Sequence, residues 1–349
     1  MGLKNILILP ELSGETPNAC AYIRMIYPLA TLMRESEFRV VNLSDSSLRI
    51  NQIVNINLDG ISAISTQRTA PLQSSKIWDL LTYAKRSGIP IHWDVDDTPF
   101  TFKDVTHESD YISLLARSAV NMRSIADVVT VSTSRLHHEL KSFFPSVDIY
   151  RNALADGLWG TSIRANTKSF LYFGLEAHRD GLTSISEKLF KRNLKQLKAM
   201  EFQIQAIGPL KGSYHPLIKV IPVPNGTATY PRFATWLTRW NRSSTGLIYH
   251  HASELNKGKS AIKALEYAAL GLGTLTNMNQ AITDDPVRDY VLCVSDDDFV
   301  DQMLHLFQDE MTQEKMSERA NNYVLGERML SNDASSMTTF YGKFLNSVI

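Results

Sequence analysis

The chain has 349 residues, enough for about two domains that each bury a real core. Hydrophobic residues make up 44% and charged residues 21%, with 17 Gly and 13 Pro, which excludes disordered, collagenous and low-complexity classes. Thirty-six basic residues balance thirty-six acidic ones, so no global field draws the protein to nucleic acid or an anionic membrane, and any anion site must be local.

Cys20 and Cys293 stand in different halves with no second ligand at metal spacing, so neither a disulfide framework nor a structural zinc is expected, and a reducing cytoplasm fits. The first apolar run, Ile6-Leu7-Ile8-Leu9, is far too short for a signal-peptide core or a membrane span and reads as a buried first strand. In chain order the predicted strands are 5–9, 38–42, 61–65, 90–95, 128–132 and 147–150, and the predicted helices 22–34, 75–87, 111–125 and 134–143. The rhythm restarts with strands near 169–173, 202–207, 218–221, 246–249, 273–276 and 291–294 and helices near 184–199, 231–240, 260–271, 298–308 and 313–325. Short apolar runs alternating with amphipathic stretches are the pattern of a parallel sheet with helical crossovers.

The polar stretch near 151–167 reads as a boundary. The expected architecture is α/β, two Rossmann-like doubly wound domains facing a cleft, with ligands beyond the carboxyl ends of the strands. The expected limits are 1–155, 156–333 and a terminal segment 334–349 that crosses back onto the first domain.

The segment Asn256-Lys257-Gly258-Lys259-Ser260 leads into a helix expected to begin near Ser260, an acceptable N-cap. Lys257 and Lys259 crowd the end of the helix where the macrodipole disfavours positive charge, and an anion there would reconcile them. A solvated lysine pair is the competing reading. Glu266 lies beside the apolar stripe of Ile262, Leu265 and Ala269, where a carboxylate needs partners: ribose hydroxyls, Lys263, or solvent.

In the first half, Ile91, Trp93 and Val95 alternate with His92, Asp94 and Asp96, giving an apolar and a polar strand face. Asp96 and Asp97 at the carboxyl end are candidates for orienting or deprotonating a hydroxyl, because adjacent carboxylates raise one pKa; a turn-forming Asp pair is the alternative. The loop Glu11–Pro17 ends in a helix carrying Arg24, and Lys188, Lys191, Arg192, Lys195 and Lys198 form a basic helix around Leu189, Leu194 and Leu197. That helix is read as a solvated face, with contact to an anionic membrane as the alternative.

Lys259-Ser260 followed by Leu265-Glu266-Tyr267-Ala268-Ala269-Leu270-Gly271 resembles the donor-binding helix of GT-B glycosyltransferases, especially the retaining, family-4-like bacterial enzymes of surface-polysaccharide synthesis. Phe170–Gly174 with His178-Arg179-Asp180 is similar to the first strand and loop of their donor domain. Tyr150–Leu154 resembles their interdomain linker, and Val129–Thr133 the last strand of their acceptor domain. Gln67-Arg68 and Asp94-Val95-Asp96-Asp97 match a pattern of a subset.

The resemblance implies transfer of a sugar from a nucleotide-diphosphate donor, as co-substrate and with no further cofactor, to an acceptor hydroxyl of a cell-surface glycan or its lipid-linked precursor. It implies retention of configuration. Gly174, His178, Arg179, Lys259, Ser260 and Glu266 would bind the donor, and Arg68 and Asp96 the acceptor. Lys259, Arg179 and the helix start would neutralise the leaving diphosphate, so no metal is required. The implied location is cytoplasmic, with possible peripheral contact at the inner membrane face.

Many members carry a glutamate eight positions before the helix glutamate, and here that position is Gly258. A catalytically silent nucleotide- or glycan-binding subunit is therefore the alternative. A nicotinamide-dependent oxidoreductase is disfavoured, because Leu9-Pro10-Glu11-Leu12-Ser13-Gly14 replaces the glycine fingerprint after the first strand.

Overall fold

The computed structural model describes residues 4–35, 38–42, 58, 60–99, 110–159, 169–174, 178–208, 212–240, 243–250, 254–277, 282 and 284–347. Its contacts divide the chain into two compact units. The first comprises Met1–Ala155, Lys257–Ser260 and Leu330–Ile349; the second comprises Asp156–Asn256 and Ala261–Met329.

The first unit holds a six-stranded sheet of β1 (Lys4–Leu9), β2 (Phe38–Asn42), β3 (Ile61–Gln67), β4 (Ile91–Val95), β5 (Val128–Val131) and β6 (Val147–Ile149), in the order β2-β1-β3-β4-β5-β6. All neighbouring pairs are parallel. Alternation along β1 buries both faces. Leu7 and Leu9 join Ile64, Ile91, Trp93 and Val129 in one core, while Ile6 and Ile8 join Ala63, Met25 and Leu29 in the other. The second face is closed by the last helix, Met337–Ser347, through Met337, Phe340, Tyr341, Phe344 and Leu345. A parallel sheet needs such cover on both sides.

The second unit repeats the plan with β7 (Phe170–Phe173), β8 (Ile204–Ile207), β9 (Ile218–Ile221), β10 (Thr245–Ile248), β11 (Gly273–Asn277) and β12 (Leu292–Val294), ordered β9-β8-β7-β10-β11-β12 and again all parallel. Leu182, Ile185 and Leu189 of the helix Arg179–Phe190 and Phe299, Met303 and Leu306 of the helix Phe299–Gln308 pack on it. The expected helix 184–199 is two helices, Arg179–Phe190 and Leu194–Ala199. The Asn193 side chain accepts the N–H groups of Lys195 and Gln196 and so starts a new helix. The five basic residues thus lie on two helices and the turn between them. Lys188 donates to the Asp296 carbonyl at 2.7 Å and Arg192 pairs with Asp301 at 2.7 Å. Among the described residues no helix is long and apolar enough to cross a membrane.

The polar face of β4 is buried as well. His92 and Asp94 are fully buried, and the partner that makes this tolerable is Arg24, itself fully buried on the π-helical turn Tyr22–Ile26. Its Nε and Nη2 donate to the Asp94 carboxylate at 2.7–3.0 Å. Nη1 donates to the Tyr150 carbonyl and to Asn152 Oδ1, each at 2.8 Å. The remaining Nη2 proton faces Met337 Sδ at 3.4 Å. Every guanidinium N–H is therefore used, as a buried cation requires.

His92 belongs to the same network. Thr130 Oγ1 donates to Asp94 at 2.7 Å, so it accepts from His92 Nε2, also at 2.7 Å. His92 Nδ1 then accepts from Ser65 Oγ at 2.8 Å, and Ser65 accepts from the Tyr341 hydroxyl at 2.9 Å. The ring is neutral: burial and then the Arg24 charge push its pKa well below the ordinary value.

Because the unfolded chain takes up this proton at a higher pH than the native one, stability is intact above about pH 6.5 and falls with acid at up to about 1.4 kcal/mol per pH unit. His92→Gln, which keeps a donor and an acceptor without titrating, is expected to flatten that slope in urea unfolding from pH 8 to pH 5. Arg24→Met strands the Asp94 charge in the core and is expected to cost about 3–5 kcal/mol in the same assay at pH 7.

Candidate functional site

In a doubly wound sheet the loops diverge where strand order reverses, and in the second unit that point lies between β7 and β10. These strands pair only at Thr245–Phe170 and Gly246–Leu171 and then separate. The gap is held by Tyr267, whose hydroxyl accepts the Phe173 N–H at 3.2 Å and donates to the Leu247 carbonyl at 3.0 Å. A Cβ on Gly246 would lie 2.3 Å from the Tyr267 ring, so only glycine admits the ring there.

Tyr267 is carried by the helix Ile262–Ala269, whose N-cap is Ala261 and whose first turn has no side-chain cap and no acidic residue. The expected cap, Ser260, is occupied elsewhere: its hydroxyl accepts from Asn152 Nδ2 at 2.7 Å, which joins it to the Arg24 network. Lys259, just before the helix, is half-buried, and among the described residues its ammonium has no ion pair or hydrogen bond. Lys263 in the first turn bends over the Phe173 ring, 4.9 Å from its centroid, and donates to the Phe173 carbonyl.

Glu266 lies one residue before Tyr267 and is 5% exposed. Its Oε1 accepts the Tyr230 hydroxyl at 2.7 Å, and Tyr230 opens the helix Tyr230–Trp240. Burial raises the carboxyl pKa to about 7, held back by the Tyr230 hydrogen bond and the Lys263 charge. Tyr230, 36 residues away, is not among the partners expected for Glu266 from the sequence.

Gly174 ends β7, where a Cβ would lie 2.7 Å from the His178 ring. That ring fills the space beside the Gly174 backbone. Gly208, at φ +131°, brings its Cα so close to the Gly174 carbonyl that a Cβ would lie 2.0 Å from the oxygen. His178 stands before the helix Arg179–Phe190, its carbonyl accepting the Tyr172 hydroxyl at 2.6 Å and its ring 6.0 Å from that of His250. Arg179 is 47% exposed and faces Asp180 at 4.0 Å. The structure thus brings Gly174, His178 and Arg179 together beyond β7, with Lys263 tying the helix of Glu266 to the same strand end.

A second cluster sits at the reversal point of the first sheet, beyond β1, β3 and β4. Arg68 occupies a left-handed backbone conformation, φ +40°, and its side chain is buried. Its Nε pairs with Asp96, and its Nη1 reaches Glu11 Oε2 and the Tyr111 hydroxyl at 3.2 Å and Asp97 at 3.3 Å. Its Nη2 donates to Cys20 Sγ at 2.8 Å.

The expectation that two adjacent carboxylates would raise one pKa fails for Asp96. Burial acts to raise it, but the charge and hydrogen bond of Arg68, with Arg24 behind, outweigh burial and hold the carboxyl below its ordinary value. Asp96 is therefore a poor base. Asp97, with 19% of its side chain exposed, accepts the Tyr111 hydroxyl at 3.0 Å. Gly258 meets this unit as well: a Cβ there would lie 2.0 Å from the Thr98 hydroxyl, and its carbonyl accepts from Thr133 at 3.3 Å. Among the described residues no group of three His, Cys, Asp or Glu is placed to hold a metal ion.

No protein-family model matches the sequence, and no curated protein matches it. Solved structures do. HepE from Anabaena, in complex with UDP and glucose, superposes with a TM-score of 0.66 at 9% identity over 99% of this chain and 100% of that one. A UDP-forming α,α-trehalose-phosphate synthase from Burkholderia vietnamiensis gives 0.57 at 9% identity, over 100% and 99%. TarM from S. aureus gives 0.56 at 9% identity over 82% of this chain, which matches 54% of TarM, about half its length. At such identities the likeness is one of fold, and the fold of this chain is GT-B, that of glycosyltransferases from several families.

Proposed function

We propose that the protein is a glycosyltransferase that moves a sugar from a nucleotide-diphosphate donor to an acceptor hydroxyl of a cell-surface glycan or its lipid-linked precursor, with retention of configuration. The observation that carries this reading is the start of the helix Ile262–Ala269, with uncapped N–H groups and buried Glu266 one turn further on, preceded in the sequence by Lys259, which has no ion pair or hydrogen bond among the described residues. A diphosphate satisfies the N–H groups and the cation together, and a ribose gives the carboxylate the hydroxyl donors that burial demands. Retention, the acceptor class and action at the cytoplasmic membrane face rest on the family resemblance of the sequence motifs.

In this reading the leaving diphosphate gathers negative charge as the glycosidic bond breaks. Lys259, the helix N–H groups and the Arg179 guanidinium stabilise that charge, and no metal is needed for it. His178, beside Gly174, contacts the donor sugar or phosphate, and Ser260 is presented by Asn152. The acceptor binds at the cluster of Arg68, Asp96 and Asp97. The depressed pKa of Asp96 suits it to bracing Arg68, whereas Asp97 is exposed enough to orient an acceptor hydroxyl. The HepE complexes with UDP-glucose and with UDP and glucose lend support, since that protein shares the fold over its whole length. The second reading, a silent binding subunit, draws on the close packing of Gly258 against Thr98, which leaves position 258 no room for a functional side chain.

Thermal shifts across UDP-, GDP- and ADP-sugars are expected to single out one nucleotide, with about 2.7 kcal/mol of stabilisation at 100 times its dissociation constant. Glu266→Ala is expected to weaken that binding at least about tenfold, the loss of a charged hydrogen-bond acceptor. No shift with any nucleotide sugar would remove the donor assignment, and binding without turnover on any glycan acceptor would favour the silent subunit. Asp97→Asn is expected to lower kcat by about 100-fold with donor affinity unchanged; Asp96→Asn is expected to lower thermal stability as well, because Arg68 loses one of its buried carboxylate partners.

A further inference from the structure

Tyr230 belongs to no motif of the sequence, yet it supplies the only hydrogen bond that the Glu266 carboxylate receives among the described residues. Both residues are buried, 8% and 5% exposed, and the hydroxyl donates to Oε1 at 2.7 Å. The Tyr230 ring is fixed in turn, packed beside Trp159 with ring centroids 6.3 Å apart. On the other side Phe233, one turn along the same helix, packs against Phe173 at the end of β7. A phenol held this way fixes one oxygen of the carboxylate and leaves Oε2 as the acceptor for a ligand.

We propose that Tyr230 is the positioning residue for Glu266: it sets the rotamer of the carboxylate by holding Oε1, so that Oε2 accepts the ribose hydroxyls of the donor. This rests on the donor reading above and extends it to a residue outside the helix that carries the motif.

The surroundings of Glu266 leave Tyr230 as the hydrogen-bond donor to its carboxylate among the described residues. On its own helix the titratable neighbours are Lys263, committed to the Phe173 carbonyl, and Tyr267, whose hydroxyl is spent between Phe173 and Leu247. The strands Thr245–Ile248 and Gly273–Asn277 carry no titratable residue. The helix Glu310–Glu327 meets this one through Asn321 and Ser317, which donate to the carbonyls of Ala268 and Gly271. Burial already holds the carboxyl near neutrality, at about 7, so loss of the one donor that favours its ionised form moves it through the physiological range.

The test is the pH dependence of nucleotide-sugar affinity, measured calorimetrically from pH 5.5 to pH 9 on the full chain with the nucleotide sugar selected by the thermal-shift panel. Its diphosphate diester does not titrate in this range. Ribose hydroxyls donate to the carboxylate, so affinity rises as Glu266 loses its proton, with a midpoint near 7 in the wild type. Tyr230→Phe keeps the ring and removes the donor. The midpoint is expected to rise by about one pH unit and the affinity at pH 7 to fall about fivefold, converging on the wild type by about pH 9. In the Glu266→Gln background, Tyr230→Phe is expected to leave the pH dependence unchanged.

A second arm leaves the ring and its hydroxyl in place. Site-specific 3-fluorotyrosine at position 230, a more acidic donor, is expected to move the midpoint down. A uniform loss of affinity in Tyr230→Phe with the midpoint unmoved, or no movement with fluorotyrosine, would overturn the assignment of Tyr230 while leaving Glu266 in the site. Absence of nucleotide binding in the wild type would overturn the donor reading and this proposal together.

Discussion

A guanidinium cut off from water must spend every N–H on protein acceptors and must have a counter-charge, and the first unit is arranged around meeting that requirement for Arg24. The acceptors come from β4, from the segment after β6 and from the last helix, at separations of 70 residues for Asp94 and 313 for Met337. One side chain thus ties the start of the chain to its end. Asn152 extends the tie to Ser260, so the strand carrying Asp94 and the stretch that precedes the candidate donor helix are fixed by a common network. The second arginine of this unit, Arg68, meets the same demand differently. Its carboxylates are Glu11, Asp96 and Asp97, its backbone adopts a left-handed conformation, and part of the cluster stays exposed. Strained backbone at a strand end is a common feature of functional sites.

The second unit poses a different constraint. Two parallel strands that diverge leave backbone groups without ladder partners, and the Tyr267 hydroxyl satisfies one from each side, the N–H of Phe173 and the carbonyl of Leu247. Lys263 takes the next carbonyl. The helix Ile262–Ala269 is thereby locked to the carboxyl end of β7, and Glu266 rides on it into a buried position where only Tyr230 and Lys263 moderate the cost of its charge. The geometry of the candidate donor site follows from the need to close the gap between β7 and β10.

The cations sort by whether they are committed. Arg24 and Arg68 are consumed by buried carboxylates, Lys263 by a carbonyl, and Lys188 and Arg192 by the surface of their own unit. Lys259 is uncommitted among the described residues and stands at a helix start that lacks a cap. A chain with no net charge can present an anion site only through such a local arrangement.

Strand and helix positions were legible in the sequence to within a few residues, and with them the α/β class, because hydrophobic periodicity is a property of neighbouring positions that the backbone turns directly into buried faces. Asp96 and Asp97 at a strand end and Lys259, Ser260 and Glu266 around the helix start followed from the same local pattern, whereas Arg68, Gly174, His178 and Arg179 came from the family resemblance. The split of the expected helix 184–199 was visible only as an Asn at position 193, which caps a helix or sits unremarked within one depending on its surroundings. What the tertiary structure alone decided is which polar groups are spent on one another: Arg24 on Asp94, Arg68 on Asp96, His178 in the space beside Gly174, and Tyr230 on Glu266. The pKa of Asp96 turned downward and the polar face of β4 tolerates burial for this reason. Those pairings join residues remote along the chain, and a buried charge takes its partner from whatever the fold brings within hydrogen-bond reach, which no local pattern encodes.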